Sequence, residues 1–223
     1  MITEKKSRNF INASLILGLI SISIFIIGTI VTMLLVEDHD FIRDVISVMG
    51  HDNPYAWFFN STLIISGILM IPAFPAIYFV MRDLDNSKPK LLLTILITGT
   101  LIGPFVSFAG IFNEGDFFVI HITFAVGAYL FVIVTAFCWG ILVWKLDADH
   151  PYKNYKIWRL DISVNFIIIA CMFAYAFTMI FFQDFIWATL GILEKSTIYA
   201  FFIYFIIVIA RILKMLRQSK VIS

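Results

Sequence analysis

Apolar residues along the chain gather into long blocks with few polar interruptions, at residues 10–36, 58–81, 91–112, 117–144, 161–182 and 197–216. A helix needs about 20 mostly apolar residues to cross roughly 30 Å of hydrocarbon, and each block is long enough. A helix on the surface of a soluble protein carries an apolar stripe and a polar back, whereas these blocks are apolar all round. Membrane strands would alternate over about ten residues, and no such alternation is present. The pattern predicts an all-α, polytopic membrane protein: a six-transmembrane-helix bundle forming a single domain over residues 1–223.

Shorter apolar stretches lie between the blocks. Phe41, Ile42, Val45, Ile46 and Met49 share one helical face, which predicts a short amphipathic helix over 41–50, either lying in the membrane interface or capping the bundle. Residues 185–193 are apolar but too short to span, with Trp187 as an interfacial anchor.

The polar breaks sort by charge. Lys5, Lys6, Arg8, Arg82, Lys88, Lys90, Lys145, Lys153, Lys156, Arg159, Arg211, Lys214, Arg217 and Lys220 are 14 of the 16 basic residues, and six spans put them all on one side. Only Arg43 and Lys195 fall on the other. Basic loops stay in the cytoplasm, so both termini are expected there, in a multi-pass protein of the cell membrane. Five or seven spans would destroy this segregation.

Within the blocks, Gly99, Gly103 and Ser107 recur at i, i+4 and i+8, a spacing that lets helix backbones approach closely; Ser14 and Gly18 form a shorter pair. Pro72, Pro75 and Pro104 remove backbone donors inside spans and predict kinks whose freed carbonyls face the bundle interior.

Composition narrows the function classes. Apolar residues make up 61% of the 223 and charged residues 14%, against roughly 45–50% and about 25% in soluble domains. A soluble enzyme, a nucleic-acid-binding domain and a disordered chain are excluded, and membrane lipids are the expected partners. Net charge is +1, with no bias toward a polyanionic partner. Cys138 and Cys171 sit in apolar runs and read as buried thiols rather than a disulfide. No zinc spacing, P-loop, G-x-S-x-G or second membrane histidine for haem occurs, so no metal and no cofactor are expected. The first block is too long for a signal peptide and lacks its cleavage pattern, so it reads as a retained span. No carboxylate or lysine falls mid-span to line a proton or ion path, which counts against a transporter.

Chemistry is instead expected at the outer face, which carries nine of the fifteen acidic residues and three of the four histidines. Asn60, Ser107, Glu114, Asp116 and His121 fall at similar depths, and His51 can join them across the loop. An imidazole just below the surface needs a partner; Glu114 or Asp116 can accept one ring N–H and leave the other nitrogen as base or ligand. His121 then reads as a structural tie, as part of a lipid-headgroup or small-ligand site, or as a metal or catalytic histidine. Asp116 also suits the N-cap of the fourth span.

The stretch 47–68, SVMGHDNPYAWFFNSTLIISGI, and the stretch from Gly99 to Phe131, with Ser-Phe-Ala-Gly-Ile-Phe-Asn-Glu followed by His121, resemble a prokaryotic six-span family called domain of unknown function nine-nine-eight. More distantly they look like the Frag/DRAM/Sfk membrane proteins. Gly50, Pro54, Phe59, Asn60, Gly110, Phe112, Glu114 and His121 match the family pattern; Asn113 stands where a proline is usual. The resemblance implies six helices and a polar site on the outer face, and its distant relatives imply membrane-lipid handling. The leading expectation is a membrane protein binding a lipid headgroup or small ligand. The alternatives are a lipid-modifying enzyme with His121 as base and Glu114 as its orienter, and a small-solute transporter.

Overall fold

A computed structural model describes residues 2–37, 39–84, 87–149, 167, 170 and 190–218. The elements are α1 (Ile2–Leu35), a 3-10 turn (Ile46–Gly50), α2 (Ala56–Met70), α3 (Ala73–Leu84), α4 (Pro89–Ile111), α5 (Glu114–Asp149) and α6 (Leu190–Gln218). Among the described residues there is no strand, and five helical stretches are long and apolar enough to cross a membrane: Arg8–Leu35, Ala56–Asp83, Pro89–Ile111, Glu114–Trp144 and Glu194–Lys214. They coincide with five of the six apolar blocks. The remaining block, 161–182, lies outside the described residues except for Ile167 and Ala170, as do Trp187 and Cys171. Cys138 is buried and unbonded.

Proline decides where the second span breaks. Ile71 N–H closes on Ile68 O at 3.3 Å, and the helical ladder resumes with Ala76 N–H on Pro72 O at 3.3 Å. Pro75 sits in the first turn of α3, where a missing N–H removes no intrahelical bond. Pro104 is accommodated inside α4, which runs on without interruption.

Small residues set the helix spacing. Gly67 of α2 and Gly103 of α4 face each other so closely that a methyl on either would strike the other's carbonyl oxygen. Gly99 accepts the Phe74 ring, Gly18 lies on Ala73, and Gly28 lies on Thr62. Three side-chain bonds tie helices at these contacts: Ser107 Oγ donates to Ile64 O at 3.1 Å, Ser21 Oγ donates to Ser66 O at 2.6 Å, and Thr98 and Thr135 hydroxyls meet at 2.7 Å. Aromatic rings fill the wider gaps toward α6, with Phe74 on Phe205 at 4.8 Å and Phe25 on Phe202 at 4.6 Å.

The expected amphipathic helix over 41–50 is shorter, only Ile46–Gly50. Asp40 explains the difference. Its carboxylate accepts from Ile42 N–H at 2.9 Å and Arg43 N–H at 3.2 Å, while its own N–H donates to Asp44 Oδ2 at 2.8 Å. These side-chain bonds compete with helix for the same backbone groups. Ile46 and Met49 are buried and cap the bundle, whereas Phe41 and Ile42 stay exposed.

This loop, the start of α5 and the start of α6 share one end of the bundle, called the loop end here: Gly115 lies against His51, and Ile192 N–H donates to Ile42 O at 2.9 Å.

Overpacking costs about 1–3 kcal/mol where a backbone contact has no slack. Gly67→Ala is therefore expected to lower the melting temperature of the detergent-solubilised protein, while Ile68→Ala, on the exposed face of the same helix, leaves it nearly unchanged. Equal effects would contradict the close approach of α2 and α4.

Candidate functional site

His121 is buried in α5 at 4% exposure, beneath the loop end. The helix start that delivers it is capped by Asn113: its Oδ1 accepts from Asp116 N–H at 2.8 Å, and its Nδ2 donates to Asp116 Oδ2 at 2.8 Å. The N-cap is thus Asn113, and Asp116 is its partner in the first turn rather than the cap that its position suggested. Phe117 then leaves helical geometry, at φ −134° and ψ 46°.

His121 Nδ1 lies 2.9 Å from Ala109 O and 2.9 Å from Phe112 O. Carbonyls only accept, so Nδ1 carries the proton, shared between two oxygens that the C-terminal end of α4 leaves open. Backbone orients the imidazole here, and Glu114 does not: the helix end offers acceptors closer to the ring than the side chain does. With Nδ1 protonated, Nε2 of the neutral ring is an acceptor.

His121 faces a cavity of about 110 Å³ lined by α1, α2, α4, α5 and α6. Its walls are mainly apolar, among them Phe25, Phe59, Leu63, Val106 and Phe202. Ala109, Ala125 and Ala128 supply little bulk opposite those rings, which leaves the space open. Ile46 and Ser47 line it from the loop end, and its polar wall is made by His121, Tyr129 and Glu194.

Glu194 and Lys195 are the residues that sequence reasoning missed. Both lie in the first turns of α6, at 7% and 1% exposure, where a loop position was expected. Glu194 Oε2 accepts from Ile46 N–H at 2.6 Å, and its Oε1 accepts from Tyr129 O–H at 3.3 Å. Lys195 Nζ donates to Phe41 O at 2.9 Å and to Asp44 O, and rests 5.0 Å above the Phe41 ring. The two side chains clamp loop 41–46 onto α6 through the loop's backbone. One signal was available: Lys195 is among the only two basic residues that break the charge segregation.

The other expected site residues disperse. Asn60 Nδ2 donates to Gly50 O at 2.9 Å and ties α2 to the 3-10 turn, while Ser107 ties α4 to α2. Glu114 Oε2 is buried with no hydrogen-bond partner among the described residues. His51 Nδ1 contacts Asp52 Oδ2 at 2.9 Å and lines a separate polar cleft of about 460 Å³ with Glu37, His39, Asp44 and Tyr55. Among the described residues, no group of three or more His, Cys, Asp or Glu is arranged to hold a metal ion.

In that cleft His39 has a side chain only 2% exposed, with Nδ1 3.5 Å from Asp44 Oδ2 and Nε2 without a partner among the described residues. Burial holds its pKa below the usual 6.5, aided by the positive charge of Lys195 and opposed by Asp44 and Asp40. The exposed Asp40 carboxylate is held below its usual range by the N–H groups of Ile42 and Arg43.

The family described as protein of unknown function (DUF998) matches residues 19–211. The chain belongs to this family. The DUF998 match runs from within α1 into α6 and includes His121, Tyr129 and Glu194. No curated protein and no solved structure matches the chain.

Two outcomes follow from the clamp and the cleft. Lys195→Met removes the donor to Phe41 O and Asp44 O, so amide hydrogen exchange over 41–46 is expected to rise; unsatisfied buried acceptors cost about 1–3 kcal/mol. Unchanged exchange would show that the clamp holds nothing. For His39, a folded-state pKa below 6.5 means that the unfolded chain binds the extra proton first. Its contribution to stability is complete above about pH 6.5 and is lost as pH falls toward the folded value. Melting between pH 7.5 and 5 is expected to shift down in the wild type and to flatten in His39→Asn; identical slopes would remove His39 as the cause.

Proposed function

We propose that this protein crosses the cell membrane six times with both termini in the cytoplasm, and that it binds a lipid or small amphiphile in the cavity between His121, Tyr129 and Glu194. The observation that carries the binding reading is an apolar cavity with one polar wall, inside the membrane-spanning helices. Ligand sites are largely apolar with a few placed polar groups, and this cavity has that composition. A cavity somewhat smaller than the roughly 150 Å³ that admits benzene suits a head group and a short length of chain, with the rest of an acyl chain extending outward.

Three observations support the span count and orientation. α5 starts at the loop end and its 36 residues run the full depth of the bundle, while α6 starts at the loop end again. The intervening chain contains the apolar block 161–182, long enough to make the return crossing. The basic residues of a six-span chain gather at the end opposite the loop. In this reading the cavity lies at the depth of the outer leaflet.

The binding reading is favoured over catalysis because Glu114 does not orient His121, and the imidazole proton is already held by two carbonyls.

Mass spectrometry of lipids co-purifying with the protein tests the cavity. Wild type is expected to retain a discrete lipid species that Ala128→Leu, which narrows the cavity, loses. If both carry the same bulk lipids, the cavity is not a binding site. Reporter fusions at residues 52, 87 and 150 test topology: the first is expected outside, the other two inside.

A further inference from the structure

Among the described residues, the hydrogen bonds around the cavity engage the donors of Tyr129, Ile46 and His121 and leave acceptors free. Tyr129 O–H is directed to Glu194 Oε1, Ile46 N–H to Glu194 Oε2, and His121 Nδ1–H to Ala109 O and Phe112 O. The ammonium of Lys195 is the nearest cation in sequence, and it is turned away onto Phe41 O and Asp44 O. Glu194 forms no ion pair within salt-bridge distance among the described residues.

Among the described residues, two acceptors remain on the polar wall: the unused lone pairs of the Glu194 carboxylate, and His121 Nε2. A carboxylate offers about four lone-pair sites, and two are occupied. The Ser47 hydroxyl, also on the cavity, can serve either way. A head group bringing N–H donors and positive charge satisfies these acceptors, and the low dielectric of the apolar walls strengthens the attraction. An acid head brings a second negative charge to the same wall and leaves every acceptor unmatched.

Resting on the reading of this cavity as a ligand site, we infer that it selects amphiphiles by the head group, taking a primary ammonium on a short apolar chain and rejecting a carboxylate. Glu194 is the counter-charge, and His121 Nε2 accepts a second N–H.

The test uses the full chain in detergent at pH 8.5, where carboxyl and alkylammonium are both ionised, with three probes of one chain length, hexylammonium, hexanol and hexanoate, each read by the shift in melting midpoint against concentration. Ala128→Leu serves as the narrowed control for probe effects on the micelle. The wild type is expected to reach half-maximal shift with hexylammonium at least tenfold below hexanoate, with hexanol between. Glu194→Gln, which keeps the shape and removes the charge, is expected to bring hexylammonium to within threefold of hexanol. Equal ranking of amine and acid in the wild type overturns the inference, as does a Glu194→Gln variant that keeps the full preference. Should that variant not fold, the wild-type ranking alone decides. If all three probes shift wild type and Ala128→Leu alike, the cavity is not a ligand site, and the failure belongs to that reading.

Discussion

Hydrocarbon offers a buried polar group no water, so a partner inside the protein is strongly favoured. Short hydroxyls find one within their own helix: Thr29 donates to Phe25 O, Thr32 to Gly28 O and Thr62 to Phe58 O, each four residues back. Larger groups reach other elements. His121 reaches the carbonyls at the end of α4, Glu194 reaches the N–H of Ile46, and Lys195 reaches the carbonyls of the 41–44 loop. Much of the architecture at the loop end follows from these few obligations. The loop is clamped because two buried charges on α6 require its backbone.

The same obligations make the cavity chemically one-sided. A neutral histidine with one nitrogen bonded to carbonyls accepts at the other, and a carboxylate can only accept. Space for a ligand comes from a separate cause. Where glycine faces glycine, as at Gly67 and Gly103, the helices close and leave no room. Where alanine faces phenylalanine, as around Ala125 and Ala128, a void remains next to the polar wall. Close packing at the α2–α4 contact and small side chains beside the polar wall together define the site.

Much of the fold is legible in the chain itself. Burial in lipid demands long apolar helices, so span positions can be read to within a few residues, and the stripe of Gly99, Gly103 and Ser107 marks a helix contact directly. Pro72 and Pro75 announce the break between α2 and α3. The site is legible only in part. His121 stands out because an imidazole beside an apolar run needs a partner, yet the partner is backbone, which carries no side-chain signature. Asn60 and Ser107 share its depth but turn to helix ties. Glu194 and Lys195 stand just before the block 197–216, where charge is ordinarily solvated. Their burial depends on the loop 41–46 folding over them.

By itself, the sequence determined that this is a helical membrane protein, where its described spans run and, in Gly99, Gly103 and Ser107, one face on which helices meet. These properties follow from local composition acting against hydrocarbon, a constraint felt by each segment independently. Tertiary structure alone decided which polar groups share a wall. Ile46, the pair His121 and Tyr129, and Glu194 come from three separate elements, and their meeting depends on where helix ends leave backbone groups open and on how far glycine lets neighbouring helices approach.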